Sequence, residues 1–310
     1  MAELILHHYP MSPFAEKARA MLGAKRLPWR SCHQPNVMPK PELQALTGGY
    51  RRIPVLQIGA DIYCDTALIA DVLEHLQPTP TLYPPHVKGL ARIVAQWADT
   101  TLFWTAMAYN FQPQALVHIF PGQPPQALQA FLDDRTQMRA GMPRMSPSDA
   151  AAAYRSYLRR IASMVDEQPF VLGGEPSIAD FACYHPLWFT RECAKLGSLF
   201  DATPSIARWM ERIAAFGHGT MTPITAAEAI DAAHRSEPAP LADEKFQDEH
   251  GIALGSRVSI VAESFGTEAT EGELIAATRT RYSLRRRDAR AGTVHVHFPR
   301  VGYKLRAATA

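Results

Sequence analysis

The residues Tyr9-Pro10-Met11-Ser12-Pro13-Phe14-Ala15-Glu16-Lys17-Ala18-Arg19 separate two periodicities. Before them, Leu4-Ile5-Leu6 is a short apolar run that reads as a strand. After them, Phe14, Ala18, Met21 and Leu22 recur at helical spacing. Ser12-Pro13 is thus placed on a strand-to-helix turn. Proline suits the first helical turn because the N–H it lacks would have no partner there. The Ser12 hydroxyl and the free N–H groups of that turn can converge on one point, where the helix dipole favours an anion. A thiolate is such an anion, and its pKa falls in that setting. Serine is also the residue type that helices prefer as an N-cap, so a purely structural role for Ser12 stands beside the chemical one.

Working outward, a proline-rich loop, Gln34 to Glu42, precedes Ile53-Pro54-Val55-Leu56-Gln57-Ile58, a strand with proline near its entry. Gly59-Ala60-Asp61 reads as a hairpin turn and Ile62-Tyr63-Cys64 as the returning strand. Asp65-Thr66 is a capping signal for a second amphipathic helix through Leu68, Ile69, Val72, Leu73 and Leu76. From His86 to Asn110, Pro124 to Arg139 and Pro147 to Val165 the pattern is helical throughout. Ser177-x-x-Asp180 ahead of an apolar run is a capping box with aspartate in the usual place of glutamate.

Strand, Ser-Pro-Phe-Ala turn, helix, Ile-Pro-Val, hairpin and Asp-Thr helix together resemble the N-terminal thioredoxin-like domain of glutathione transferases. Ser12-Pro13-Phe14-Ala15 resembles the Cys-Pro-Phe-Ala of the omega class with serine replacing cysteine. The resemblance implies that Ile53 pairs its backbone with the cysteinyl part of glutathione next to a cis Pro54. It implies that Asp65 and Thr66 hold the γ-glutamyl group, and it makes Lys40 a partner for the glycyl carboxylate, although a loop lysine is also commonly just solvated. Ser12 is then the expected catalytic residue, donating a hydrogen bond to the thiolate, with Tyr9 as a rival hydroxyl. Serine argues against thiol-transfer chemistry, since it forms no mixed disulfide. Ser177-x-x-Asp180 resembles the box that starts the buried helix of the family's helical domain, a structural role.

The expected fold is an α/β thioredoxin-like domain over residues 1–80 and an all-α helical domain over 86–235. Beyond the linker Ser236-Glu237-Pro238-Ala239-Pro240, short period-2 runs (257–261, 272–276, 281–285, 293–298, 301–305) read as a small all-β, barrel-like domain over 246–310, which the family normally lacks. Tyr9, Phe14, Trp104, Tyr109 and Phe111 are candidate walls of a pocket for an apolar electrophile, with plain helix packing as the other reading. Asp99 is placed either in the cleft or on a solvated face.

Composition sets further bounds. With 310 residues, 47% hydrophobic and a net charge of +2, the chain has a sizeable core and no overall basicity that would call for nucleic acid. Its start lacks the pattern of a signal peptide, and no apolar run is long enough to span a membrane. Four scattered cysteines fit reduced thiols in a cytoplasm. His295 and His297 share a strand face, but no cysteine or third histidine completes a set, so no metal is expected. The arginines around Arg285-Arg286-Arg287 make the last segment locally basic, read as a solvated edge or a packing face rather than a nucleic-acid footprint. The activity expected is attack of a glutathione thiolate on an electrophile, in a homodimer. A binding or regulatory protein of the same fold is the alternative, and isomerase or dehalogenase chemistry shares the same cofactor site.

Overall fold

The computed structural model describes residues 3–241, 245–247 and 249–308. Met1, Ala2, Asp248, Thr309 and Ala310, which fall in the expected first and last domains, lie outside them.

The first unit runs β1 (Leu4–His8), α1 (Pro13–Ala24), β2 (Trp29–His33), α2 (Pro41–Thr47), β3 (Val55–Ile58), β4 (Asp61–Cys64) and α3 (Thr66–Leu76). β1 pairs parallel with β2 and antiparallel with β3, and β3 and β4 form the expected hairpin. The sequence reading covers neither β2 nor α2. The polar Arg30, Ser31 and His33 mask the strand alternation, and Pro41 starts α2 rather than breaking it, because N1 needs no N–H donor.

The helices follow. α4 (Lys88–Trp97) and α5 (Phe103–Asn110) are joined by a π-helical turn, Ala98–Leu102, so 88–110 is one rod, as the periodicity indicated. Then come α6 (Pro113–Ile119), α7 (Pro125–Met138), α8 (Pro147–Val165), α9 (Ile178–Trp188) and α10 (Pro204–Ala214). The Asp180 carboxylate is buried at the start of α9. It accepts hydrogen bonds from Ser177 N–H (2.8 Å), the Ser177 hydroxyl (3.1 Å), Val171 N–H (2.7 Å) and Trp209 Nε1–H (3.0 Å). One side chain thereby ties the helix start to a loop and to α10.

The remainder departs from the helical pattern earlier than the expected boundary at residue 235. β5 (Met221–Ile224) pairs parallel with β2, and α11 (Ala226–His234) packs on β2, β9 and α2. β6 (Arg257–Ala262), β7 (Thr270–Ala277), β8 (Arg281–Asp288), β9 (Gly292–Pro299) and β10 (Tyr303–Ala307) form an antiparallel set. They do not close on themselves. β9 pairs parallel with β4, giving one ten-stranded sheet in the order β10-β6-β7-β8-β9-β4-β3-β1-β2-β5. Both edges of this sheet carry edge-compatible residues: Pro223 in β5, and exposed Lys304 and Arg306 in β10.

Two cores result. One lies between α1, α3, one face of the first strands and the helices, with Leu6, Met21, Leu102, Phe181 and Trp209 fully buried. The other joins Leu43, Leu46, Val55 and Ile62 of the first unit to Val258, Leu274, Val296 and Leu305 of the last strands. Thr270 knits the two further: its hydroxyl donates to Thr47 C=O (3.0 Å) and accepts from Tyr50 N–H (3.1 Å). At Gly49 a Cβ would lie 1.8 Å from the Ala269 carbonyl oxygen, so only glycine allows the two backbones to close to this distance.

Candidate active site

Between the first unit, the helices and the last strands lies a cavity of about 1580 Å³. Ser12 opens onto it as the N-cap of α1, with Pro13 at N1. Its Oγ accepts from Ala15 N–H (3.2 Å), so the structural role read from the sequence is present. Its own hydroxyl proton has no acceptor among the described residues and remains available to an anion at the helix start. Tyr9 also lines the cavity, but its hydroxyl accepts a hydrogen bond from the Arg135 guanidinium (3.3 Å) of α7.

The Ile53–Pro54 peptide is cis. Ile53 precedes β3, and its N–H and C=O find no backbone partner among the described residues, leaving a short open edge along the cavity wall. Asp65 is the N-cap of α3 with φ of 78°, and Oδ1 accepts from Ala67 N–H (2.9 Å). Oδ2 accepts from the Tyr303 hydroxyl of β10 (3.0 Å), 238 residues further along the chain. The Thr66 hydroxyl accepts from Lys17 Nζ (3.2 Å). Lys40 is buried in the wall and donates to Arg51 C=O (3.3 Å). Burial, with the Arg135 charge added, pushes its ammonium down to about 8. Ser12, Lys40, Ile53, Pro54, Asp65 and Thr66 are thus brought to one cavity.

The aromatic candidates divide. Phe14, Trp104 and Phe111 line the cavity. Tyr109 does not: half-buried, its ring packs on Tyr154 at 5.5 Å between centroids, against the helical core. Of its two expected places Asp99 takes the cleft, not a solvated face. It sits in the π-helical turn, binding Lys17 Nζ at 2.5 Å and accepting from His185 Nε2–H at 3.1 Å. Burial alone would raise its carboxyl, but the Lys17 charge and the His185 hydrogen bond outweigh it and hold the group below the usual carboxylate range. Burial lowers His185 more than the Asp99 hydrogen bond and charge raise it, which favours the neutral imidazole.

Several residues of the cavity escaped the sequence reading. The segment 263–268 reaches from the last strands across to α7. Gly266 N–H donates to Met138 C=O (2.8 Å), Phe265 meets Trp104 at 5.0 Å, Arg52 donates to Ser264 C=O (3.0 Å), and Arg51 bridges Glu268 and Asp134 at 2.6 Å each. Tyr303, Arg139 and Arg300 also line the wall. No local pattern marks these; they come together through pairing of strands that are distant in the sequence.

The basic segment is mostly accounted for by internal pairing. Arg285 pairs with Glu273 across β7 and β8, Arg290 donates to Pro41 C=O, Arg286 covers the end of α2, and Arg300 pairs with Glu249. His295 and His297 meet a third ligand type that the sequence reading did not count. Parallel pairing of β4 with β9 sets Asp61 beside them, with all three ligand atoms within 4.8 Å. These three residues could hold a metal ion. In the structure the His297 ring nitrogens are both engaged, with Asp61 Oδ1 at 3.0 Å and the Ser283 hydroxyl at 2.8 Å, while Asp61 Oδ2 accepts from Ala239 N–H.

Residues 6–81 match the glutathione S-transferase N-terminal domain and residues 125–212 the C-terminal domain of that family. A GST-like protein from Pseudomonas syringae, solved by crystallography, is 42% identical. The match covers 99% of this chain and 100% of that one, with a TM-score of 0.82. The chain belongs to the glutathione transferase superfamily. Because that alignment runs nearly end to end, the two chains share the C-terminal strands as well as the two family domains. A glutathione S-transferase from Rhodospirillum rubrum (19% identity, 68% of this chain and 88% of that one, TM-score 0.54) shares the fold. So does the β-etherase LigF of a Sphingobium strain (18%, 68% and 95%, TM-score 0.51). A search of curated protein sequences finds no match.

Proposed function

We propose that this superfamily member is a glutathione transferase in which Ser12 activates the glutathione thiol for attack on an electrophile with an apolar body. The observation that carries this is the free hydroxyl proton of Ser12, at the N-terminus of α1, opening onto the same cavity as the Ile53 edge and the Asp65-Thr66 cap. Ile53 supplies an unpaired backbone edge for the cysteinyl unit. Asp65 supplies a carboxylate for the α-ammonium, and Thr66 with the α3 N-terminus takes the α-carboxylate. Lys40, a buried cation with one weak acceptor, suits the glycyl carboxylate. Thiolate charge then develops at the positive end of α1, where the Ser12 proton and the helix dipole both stabilise it. Phe14, Trp104 and Phe111 offer the apolar wall.

A homodimer is part of the same reading, supported by Leu90 and Ile93, exposed on α4. A reducing, cytoplasmic setting fits the four free, buried cysteines.

The test is calorimetric titration of glutathione into the wild-type protein and Ser12→Ala, with the bound thiol's pKa read by thiolate absorbance. Binding is expected in both, with the thiol pKa lowered only when Ser12 is present, and kcat/KM for conjugation down about a hundredfold in the variant. Binding without a pKa change in either would make the protein a glutathione-binding module. An absence of binding at millimolar glutathione would sink the enzyme reading.

A further inference from the structure

We propose that the electrophile is an anionic aromatic, a carboxylate or similarly charged group on a ring, whose anion is received by Arg139 and Arg144 while its ring lies against Trp104. This rests on the transferase reading and deepens it by naming the class of second substrate.

The charges around the cavity are unequal. Its wall holds eleven Lys and Arg side chains against four carboxylates. Of those carboxylates, Asp71 is taken by Arg92 and Asp99 by Lys17, and Asp65, held by Tyr303 and the α3 start, is the one assigned above to the glutathione α-ammonium. Glu263, exposed at the rim, is the fourth. Several of the cations are likewise spoken for: Arg51 and Arg135 share Asp134, and Arg300 has Glu249.

Arg139 and Arg144 have neither a carboxylate nor a hydrogen-bond acceptor among the described residues. The Nε of Arg139 is buried without a partner. Its guanidinium lies over the Trp104 ring, 5.0 Å from the centroid, and Phe265 meets the same tryptophan at 5.0 Å. Burial, and after it the charge of Arg144, which is exposed at the rim, push the Arg139 guanidinium down from its usual range. A buried donor left unmet favours any ligand that supplies an acceptor, and a guanidinium is matched in shape to a carboxylate. The neighbouring Arg52 adds a second buried, unpartnered Nε to this wall. A neutral hydrophobic electrophile would use the aromatic surface and leave all of these donors unpaired.

The experiment compares glutathione conjugation of 1-chloro-2,4-dinitrobenzene and 4-chloro-3,5-dinitrobenzoate, each kcat/KM divided by the uncatalysed second-order rate. In parallel, unreactive 3,5-dinitrobenzoate is titrated calorimetrically into the protein with and without glutathione. The carboxylate substrate is expected to be favoured by about tenfold or more. In the Arg139→Gln, Arg144→Gln double variant its kcat/KM should fall about tenfold further than that of the neutral substrate, mainly through KM. Dinitrobenzoate affinity should fall in step. Equal normalised rates in the wild-type protein, or a preference that survives in the double variant, would overturn the proposal and leave the transferase reading intact. If glutathione does not bind, the transferase reading fails by itself, and the dinitrobenzoate titration still decides the arginine pocket: affinity lost in the double variant upholds it, and no binding, or unchanged affinity, refutes it.

Discussion

The thioredoxin-like unit is joined to the rest of the chain along two seams, and they are built on different physical terms. Toward the helices the seam is made of side chains. Lys17 of α1 reaches Asp99 in the π-helical turn, His185 of α9 completes the triad, and Phe14 lies at 4.5 Å between ring centroids from His185. Toward the last strands the seam is made of backbone. β9 extends the sheet from β4, and the Asp61–His297–Ser283 chain of hydrogen bonds lies across the junction. The first seam borders the cavity, and Lys17 and Asp99 both line it. The second is a continuous ladder over a second core.

The comparison can be broken at each seam. The largest effect is expected from Asp99→Ala, which leaves the fully buried Lys17 ammonium with the Thr66 hydroxyl as its remaining partner. Breaking a buried pair from one side costs about 3–5 kcal/mol, read as a shift of the urea midpoint without a change in m. At the other seam His297→Ala removes one of the partners of Asp61 and the ring stacked on Tyr63, but leaves the ladder and the Ala239 N–H bond in place. About 1–3 kcal/mol is expected in the same assay. A loss at His297 larger than that at Asp99 would reverse the account of the two seams.

Smaller effects sharpen the view of where the seams meet the site. Tyr303→Phe removes the proton donated to Asp65 Oδ2. Affinity for glutathione should drop about fivefold while global stability changes by less than about 1 kcal/mol, separating a positioning role from a structural one. The least is expected from pH. Lys40, charged below about 8 in the folded protein, loses its proton as pH rises through that value. Binding of S-methylglutathione, which has no titrating thiol, should weaken over that step, and Lys40→Arg, which keeps its charge there, should abolish it. A step that persists in Lys40→Arg belongs to the ligand's own amine.

What could be read from the sequence follows from the range of the interactions. Ser12, Pro13, Asp65 and Thr66 announce themselves because caps and turns are local: the signal and its partner lie within three residues. The last strands were visible through alternation, but not their attachment. Alternation fixes which side chains share a face and says nothing of which strand lies beside which. Tyr303 reaches Asp65, Asp61 joins the two histidines, and Phe265 meets Trp104 only through that pairing. Tyr109 and Trp104, five residues apart on α5, show the converse limit. Both are aromatic on an apolar helix, and only the packing of α8 on that helix decides which one faces the core.

The parallel pairing of β4 with β9 has a consequence for how the chain is made. Asp61 to Tyr63 lie on the edge that β9 later covers, and their partners His295 to His297 come more than two hundred residues later. At ordinary rates of translation, about 5–20 residues per second, roughly ten to fifty seconds separate the two strands at the ribosome. Throughout that interval the newborn first unit carries an uncovered strand edge, and Leu43, Leu46, Val55 and Ile62 lack the apolar partners of the second core. The nascent chain therefore waits, sticky on one side, for its final strands.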